Sequence, residues 1–130
     1  MRLHIDVLGT LHQVWGAFGV MTGLSLGILS AGTRVALAGG PFGLGEQAAV
    51  ALLAIVAAVL VGGGAVNAMA GWAIKRRSRR GRLAALTLAI PNLVLVPFGT
   101  ALGVYTFWVL LNNDARRAFG RPPREAAPAV

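Results

Sequence analysis

The sequence alternates between long apolar stretches and short polar or basic segments. Three stretches carry no Asp, Glu, Lys or Arg, and they run from Val7 to Thr33, from Gln47 to Ile74 and from Leu83 to Asn113. Each exceeds the ~20 residues with which a helix crosses a hydrocarbon core of roughly 30 Å. Apolar residues occur around the whole helical circumference, which is typical of helices buried in lipid. The pattern therefore predicts an all-α membrane protein.

The third stretch is too long for a single crossing, because a helix over 83–113 would extend roughly 46 Å. Pro91 and the segment Pro97-Phe98-Gly99-Thr100 interrupt it, and the second of these has the composition of a tight turn. We therefore predict a four-transmembrane-helix bundle. The alternative has three spans with a long kinked or re-entrant last segment. The four predicted helices cover about 8–30, 46–74, 78–96 and 98–118.

The basic residues predict how these helices are oriented. Six of them lie within 75–82, and four more follow residue 115. Four crossings place the N-terminus, the 75–82 segment and the C-terminal tail on one side, with Arg34 alone opposite, whereas three crossings would put the basic tail outside. We expect both termini in the cytoplasm of a bacterium. The sequence also predicts one domain, 1–118, and a disordered tail at 119–130, which contains three prolines.

Composition excludes several function classes. The chain is 56% hydrophobic and 12% charged, and it has no cysteine, so disulfides and thiolate metal ligands are excluded. Its net charge of +8 does not indicate nucleic-acid binding, because the basic residues flank apolar spans without interleaved aromatic residues. None of the predicted spans places an acidic or basic residue at mid-depth, where ion-coupled carriers usually need one.

Glycines at a spacing of four residues are the clearest packing signal. They predict smooth helix faces on which a second helix can lie close, within the chain or in another chain. The predicted packing residues are Gly19, Gly23, Gly27, Gly63, Gly71, Gly99 and Gly103.

Two asparagines, Asn67 and Asn92, are the most polar side chains of the predicted spans. An amide in lipid needs a hydrogen-bond partner, so we expect the two to bond to each other or to backbone groups freed by Pro91. The functional alternative is that they line a small polar pore.

Histidines and basic residues are the remaining candidates for binding. We expect no metal and no cofactor, although His12 could ligate a haem or pigment, with His4 as the one other candidate. The basic segment predicts contacts with anionic lipid headgroups. Its members are Lys75, Arg76, Arg77, Arg79, Arg80 and Arg82.

The segment from Trp72 to Phe119, about a third of the chain, resembles the C-terminal half of a group of small uncharacterised bacterial inner-membrane proteins. The similarity rests on a basic stretch before a helix, an asparagine, and the pattern P-x-G-T-x-L-G-x-Y-x-x-W-V-L-L at 97–111. It implies a helical hairpin that pivots at 97–100, and it implies no activity and no catalytic residue.

These features predict a non-catalytic membrane protein, not an enzyme. Its helices would pack through small-residue faces, as a homo-oligomer or as an accessory subunit of a larger membrane complex. Its expected partners are the lipid bilayer, anionic headgroups and other membrane chains, with no nucleic acid. The alternative function is a small oligomeric channel or passive pore lined by Asn, Ser and Thr.

Overall fold

The computed structural model describes residues 2–38, 40, 43–94 and 97–122. Within these ranges the chain is helical between short connections and forms no strand, which confirms the all-α prediction. The helices are α1 (Arg2–Leu37), α2 (Leu44–Lys75), α3 (Arg79–Val94), α4 (Phe98–Leu111) and α5 (Asn113–Ala118).

Helices α1 and α2 are long and apolar enough to cross a membrane. They have 36 and 32 residues, so at 1.5 Å per residue they extend about 54 and 48 Å. Both exceed the predicted ranges 8–30 and 46–74, because those limits follow from bilayer thickness. The sequence contains no proline between these limits and the ends of the two observed helices.

Helices α3 and α4 are shorter, with 16 and 14 residues, and each falls below the length that crosses a bilayer. Four transmembrane helices are therefore not shown, although two separate helices do replace the one long apolar stretch. The predicted fourth helix also ends early. Asn112 is extended, at φ −64° and ψ 144°, and its side chain accepts a hydrogen bond from the Asp114 amide at 3.0 Å. Asparagine favours such a cap, so a separate short helix α5 begins there.

The predicted single domain divides into two compact units. The hairpin unit comprises Trp15–Val66, and the terminal unit comprises the described residues of 2–14 and 67–122. In the hairpin unit α1 and α2 run antiparallel. The Ser30 hydroxyl donates to the carbonyl of Val50 at 3.1 Å, and further along Gly19 lies against Gly64.

Glycine sets the closeness of the two helices in the hairpin unit. A Cβ on Gly64 would lie 2.5 Å from the carbonyl oxygen of Gly16, closer than any real Cβ contact. A Cβ on Gly23 would lie 2.8 Å from the carbonyl oxygen of Ala57, and one on Gly19 would lie 3.3 Å from the Cα of Gly64. Gly27 has more room, with Ala57 Cβ at 3.9 Å.

A Cβ on Gly63 would meet nothing within 4 Å, so this glycine is not one of those that let α1 and α2 approach closely, and its packing against another chain stays a prediction. A helix turns about 100° per residue, so a one-residue error moves the contact to another face. Gly64, which the sequence analysis passed over, is the packing residue.

The terminal unit has a small apolar core that includes Ile5, Leu8 and Ile74, all fully buried. The start of α1 contacts the end of α2 through glycine again, since a Cβ on Gly71 would collide with the carbonyl oxygen of Gly9. These contacts all lie within one chain.

Helices α3 and α4 form an antiparallel hairpin within the terminal unit. A Cβ on Gly103 would lie 2.9 Å from the carbonyl oxygen of Ala89, and the Thr100 hydroxyl donates to the carbonyl of Leu93 at 2.7 Å. Gly99 is buried near the start of α4. The chain therefore reverses between Val94 and Phe98, slightly before the expected pivot at 97–100, whose last three residues belong to α4. Residues 95 and 96 lie outside the described residues.

The described part of the predicted disordered tail is packed. Phe119 is buried, and the carbonyl of Gly120 accepts a hydrogen bond from Arg79 Nη2 at 3.0 Å. Residues 123–130 lie outside the described residues, and disorder of the tail stays a prediction.

Two adjacent glycines provide a matched test of this packing. Gly64→Ala should lower the free energy of unfolding by about 1–3 kcal/mol, because its Cβ would collide with the backbone of α1. Gly63→Ala adds the same methyl group to open space and should be neutral or slightly stabilising. Thermal unfolding of the detergent-solubilised variants measures the difference, and equal unfolding temperatures would contradict the close approach.

Candidate functional site

Asn67 and Asn92 form a buried amide pair in the terminal unit. The side chains are 6% and 3% exposed, and Asn92 Nδ2 donates to Asn67 Oδ1 at 3.1 Å. Their predicted hydrogen bond to each other is confirmed. This hydrogen bond joins the last part of α2 to α3, at the residue that follows Pro91. It therefore supports a packing role for the two amides.

Two members of the basic segment bind the start of α1. Lys75 Nζ donates to Gln13 Oε1 at 2.7 Å, and Arg77 Nη2 forms an ion pair with Asp6 Oδ1 at 2.9 Å. The ion pair is partly exposed, so its contribution to stability is small. The ion pair instead fixes the position of the basic segment against the N-terminal turns of α1.

The end of α2 has the hydrogen bonds of a Schellman motif. The Arg77 amide donates to the carbonyl of Ile74 at 2.9 Å, and the Ser78 amide donates to Ala73 at 3.1 Å. Arg77 has φ +55°, the left-handed conformation that usually selects glycine. The arginine at this position supplies the partner of Asp6, which a glycine could not.

Arg82 is the buried cation of the terminal unit. Its side chain is 4% exposed, and its Nε and Nη2 atoms donate to the carbonyl oxygen of Leu110 at 3.2 and 2.9 Å. The break at Asn112 leaves carbonyls at the end of α4 without helical partners, and a cation there also favours the helix dipole. The predicted headgroup contact is therefore wrong for Arg82, which the packing of α4 removes from the surface.

The other basic residues of the segment differ in their environment. The Arg76 guanidinium lies 3.7 Å from the ring centroid of Trp72, and Arg79 binds Gly120 as described above. The Arg80 side chain is exposed and makes no hydrogen bond, ion pair or ring contact with the described residues. Headgroup contact stays a prediction for the exposed members of the segment.

The two histidines have separate surroundings. His12 is fully buried, and its Nδ1 lies 3.2 Å from the carbonyl of Leu8, so Nδ1 carries the proton. His12 Nε2 has no hydrogen-bond partner among the described residues. His4 lies near the hydroxyl of Tyr105, at 3.1 Å, with its ring edge-on to Trp108.

No three His, Cys, Asp or Glu side chains of the described ranges cluster in a way that could hold a metal ion. Haem or pigment binding through His12 stays a prediction that the packing around this residue does not favour, since the ring has no exposed face.

The hairpin unit contains an apolar groove of about 680 Å³ between α1 and α2. Small side chains line most of it, including Gly23, Gly27 and Ala31 of α1, and Ala54, Ala58 and Gly62 of α2.

A second cavity of about 670 Å³ lies in the same unit and is lined by Arg34, Leu44, Gln47, Ala48, Val50 and Ala51. Neither cavity was predicted from the sequence. The sequence does indicate them, because a row of small residues on α1, Gly23, Gly27 and Ala31, leads to the isolated charge of Arg34.

Comparisons with protein-family models, with curated proteins and with solved structures return no match.

Arg82 and Arg80 form a matched pair for testing the buried cation. Arg82→Gln should lower the free energy of unfolding by about 1–3 kcal/mol, because the Leu110 carbonyl loses charge-assisted hydrogen bonds in a buried position. Arg80→Gln removes the same charge from an exposed position and should change stability by less than about 0.5 kcal/mol. Thermal unfolding in detergent measures both variants, and equal losses would show that charge alone matters.

Proposed function

We propose that this chain is a multi-pass protein of the bacterial inner membrane that acts non-catalytically, by packing with other membrane chains. The observation that supports this most strongly is the outer surface of the long helices. Large apolar side chains on α1 and α2 are more than half exposed, among them Met21, Ile28, Leu52, Ile55 and Val59. A soluble monomer rarely exposes so continuous an apolar surface, whereas lipid chains cover it without cost.

The exposed hydroxyl groups support the same environment. Thr10, Ser25 and Thr33 of α1 each donate to the carbonyl four residues earlier, at 2.9 to 3.0 Å, and Thr87 of α3 does so at 3.1 Å. A hydroxyl that faces lipid has no water to bind, so such bonds within the helix satisfy it.

The proposed topology has four crossings with both termini in the cytoplasm. Helices α3 and α4 would span about 24 and 21 Å, which is less than the hydrocarbon core of roughly 30 Å. Local thinning of the bilayer and extended arginine side chains would make up the difference. The alternative is that their hairpin re-enters without crossing. Both arrangements keep the basic 75–82 segment and the C-terminal tail on the same side.

Association with other chains would use the apolar faces that the fold leaves exposed. Most of the predicted packing glycines contact helices of the same chain, as Gly23, Gly71 and Gly103 illustrate. The buried bond between Asn67 and Asn92 supports a packing role over the alternative of a pore lined by these amides, because both side chains are turned toward each other.

The proposal is tested by extracting the tagged full chain from its native membrane under gentle conditions and determining the mass and composition of the particle. We expect a particle larger than one chain, containing either several copies or other membrane proteins in fixed ratio. A strictly monomeric chain with no co-purifying protein would contradict the packing role. A chain that alkaline carbonate releases from the membrane would contradict the membrane location itself.

A further inference from the structure

We propose that the hairpin unit binds one anionic membrane phospholipid, with an acyl chain in the apolar groove and the phosphate at Arg34. This inference deepens the proposed function and rests on its membrane location. It follows from the shape of the groove, from its length and from the isolated charge at its end.

The groove is an open depression between the two helices, because most of the residues that line it are glycine or alanine. A Cβ on Gly62 would meet nothing within 4 Å, and one on Gly27 would make only an ordinary contact with Ala57. The space beside these glycines is therefore not filled by the neighbouring helix. In a membrane an open apolar groove of this kind accepts a flexible acyl chain, which packs against small residues without a polar group to satisfy.

The apolar groove leads toward the cavity at Arg34. Ala51, Ala54 and Ala58 follow one another at spacings of three and four residues, so they lie on one face of α2. Ala51 lines the Arg34 cavity, and the other two line the apolar groove. On α1 the spacing from Gly27 through Ala31 to Arg34 likewise keeps one face. The cation therefore lies at the end of the groove that is nearer the 38–43 connection.

The length of this face matches one leaflet of a bilayer. Gly23 and Arg34 are eleven residues apart on α1, which corresponds to about 16 Å along the helix axis. Half of a hydrocarbon core is about 15 Å. When Arg34 lies at headgroup depth, Gly23 therefore lies near the middle of the membrane, where an acyl chain ends.

Arg34 is available to bind an anion. It is exposed, and its side chain makes no hydrogen bond or ion pair with the described residues. The nearest carboxylate in sequence, Glu46, accepts a hydrogen bond from the Gly43 amide at 3.1 Å and so belongs to its own turn. Gln47 lines the same cavity and can donate to a phosphate oxygen.

Charge also favours a lipid over a second copy of the chain in this groove. Two hairpin units related by a twofold axis along this face would bring two Arg34 side chains together. Residues 7–33 and 47–74 supply no carboxylate to separate them. A phosphodiester brings the complementary charge together with the apolar chain that the groove fits.

Native mass spectrometry of the detergent-solubilised full chain tests the inference. The protein is mixed with phosphatidylglycerol and phosphatidylcholine of identical acyl chains in equal amounts. We expect one phosphatidylglycerol retained per chain in preference to phosphatidylcholine. Arg34→Gln should reduce that preference about fivefold, the effect of one basic residue at a lipid surface. It alters no described side-chain contact, so the variant should fold.

A pair of neighbouring glycines provides the control for the groove. Gly62→Leu places a side chain inside it and should reduce retention of both lipids, whereas Gly63→Leu, outside the groove, should behave as the wild type. Retention unchanged by both Arg34→Gln and Gly62→Leu would overturn the inference, and would assign any bound lipid to the basic 75–82 segment. A disulfide-linked dimer formed by Gly62→Cys in membranes would overturn it in favour of a second copy.

Carbonate extraction of the same membranes separates the two levels of the proposal. A chain that stays in the membrane pellet but shows no lipid preference refutes the lipid site alone. A chain that is released refutes the proposed membrane function as well.

Discussion

The close approach of α1 and α2 at glycine is the contact on which both units depend. In the hairpin unit Gly64 lies against the backbone of Gly16, and in the terminal unit Gly71 lies against Gly9. In the lipid environment proposed for these helices there is no hydrophobic drive for two apolar helices to associate, so tight backbone packing would supply the attraction. Side chains at these positions would hold the helices apart and weaken the surrounding contacts, including the hydrogen bond from Ser30 to Val50.

Polar groups of the terminal unit bind one another instead of forming a reactive site. The Asn67–Asn92 pair joins α2 to α3, and Arg82 joins α3 to the end of α4. Arg77 and Lys75 connect the basic segment to the start of α1. The basic segment at 75–82, from which a membrane orientation was predicted, therefore also organises the fold. The same residues can serve both purposes because arginine has an apolar stem and several donors.

The features that depend on composition were predicted correctly from the sequence. The predictions failed for features that depend on the exact position of a single residue. The helical class, the reversal near Pro97 and the asparagine pair follow from apolar length, proline and the need of an amide for a partner. The choice between Gly63 and Gly64 depends on the rotation of α2 by one residue, which an unbroken apolar run does not encode. The burial of Arg82 depends on the helix break at Asn112. That break follows from a local capping preference, which is hard to recognise within an uncharged stretch of thirty-one residues. The groove that leads to Arg34 could not be predicted from the sequence, because its position depends on which glycines the neighbouring helix leaves uncovered.

The most direct test of the central claim, that α1 and α2 are embedded in lipid, is the accessibility of spin labels in the reconstituted protein. The chain has no cysteine, so single substitutions at Leu52, Val59 and Ser78 can each carry one label. Collision rates with oxygen, which concentrates in lipid, and with a water-soluble nickel complex are then compared. We predict that oxygen dominates at Leu52 and Val59 and that nickel dominates at Ser78. Dominant nickel collisions at Leu52 and Val59 would show that this surface faces water and would contradict the membrane assignment.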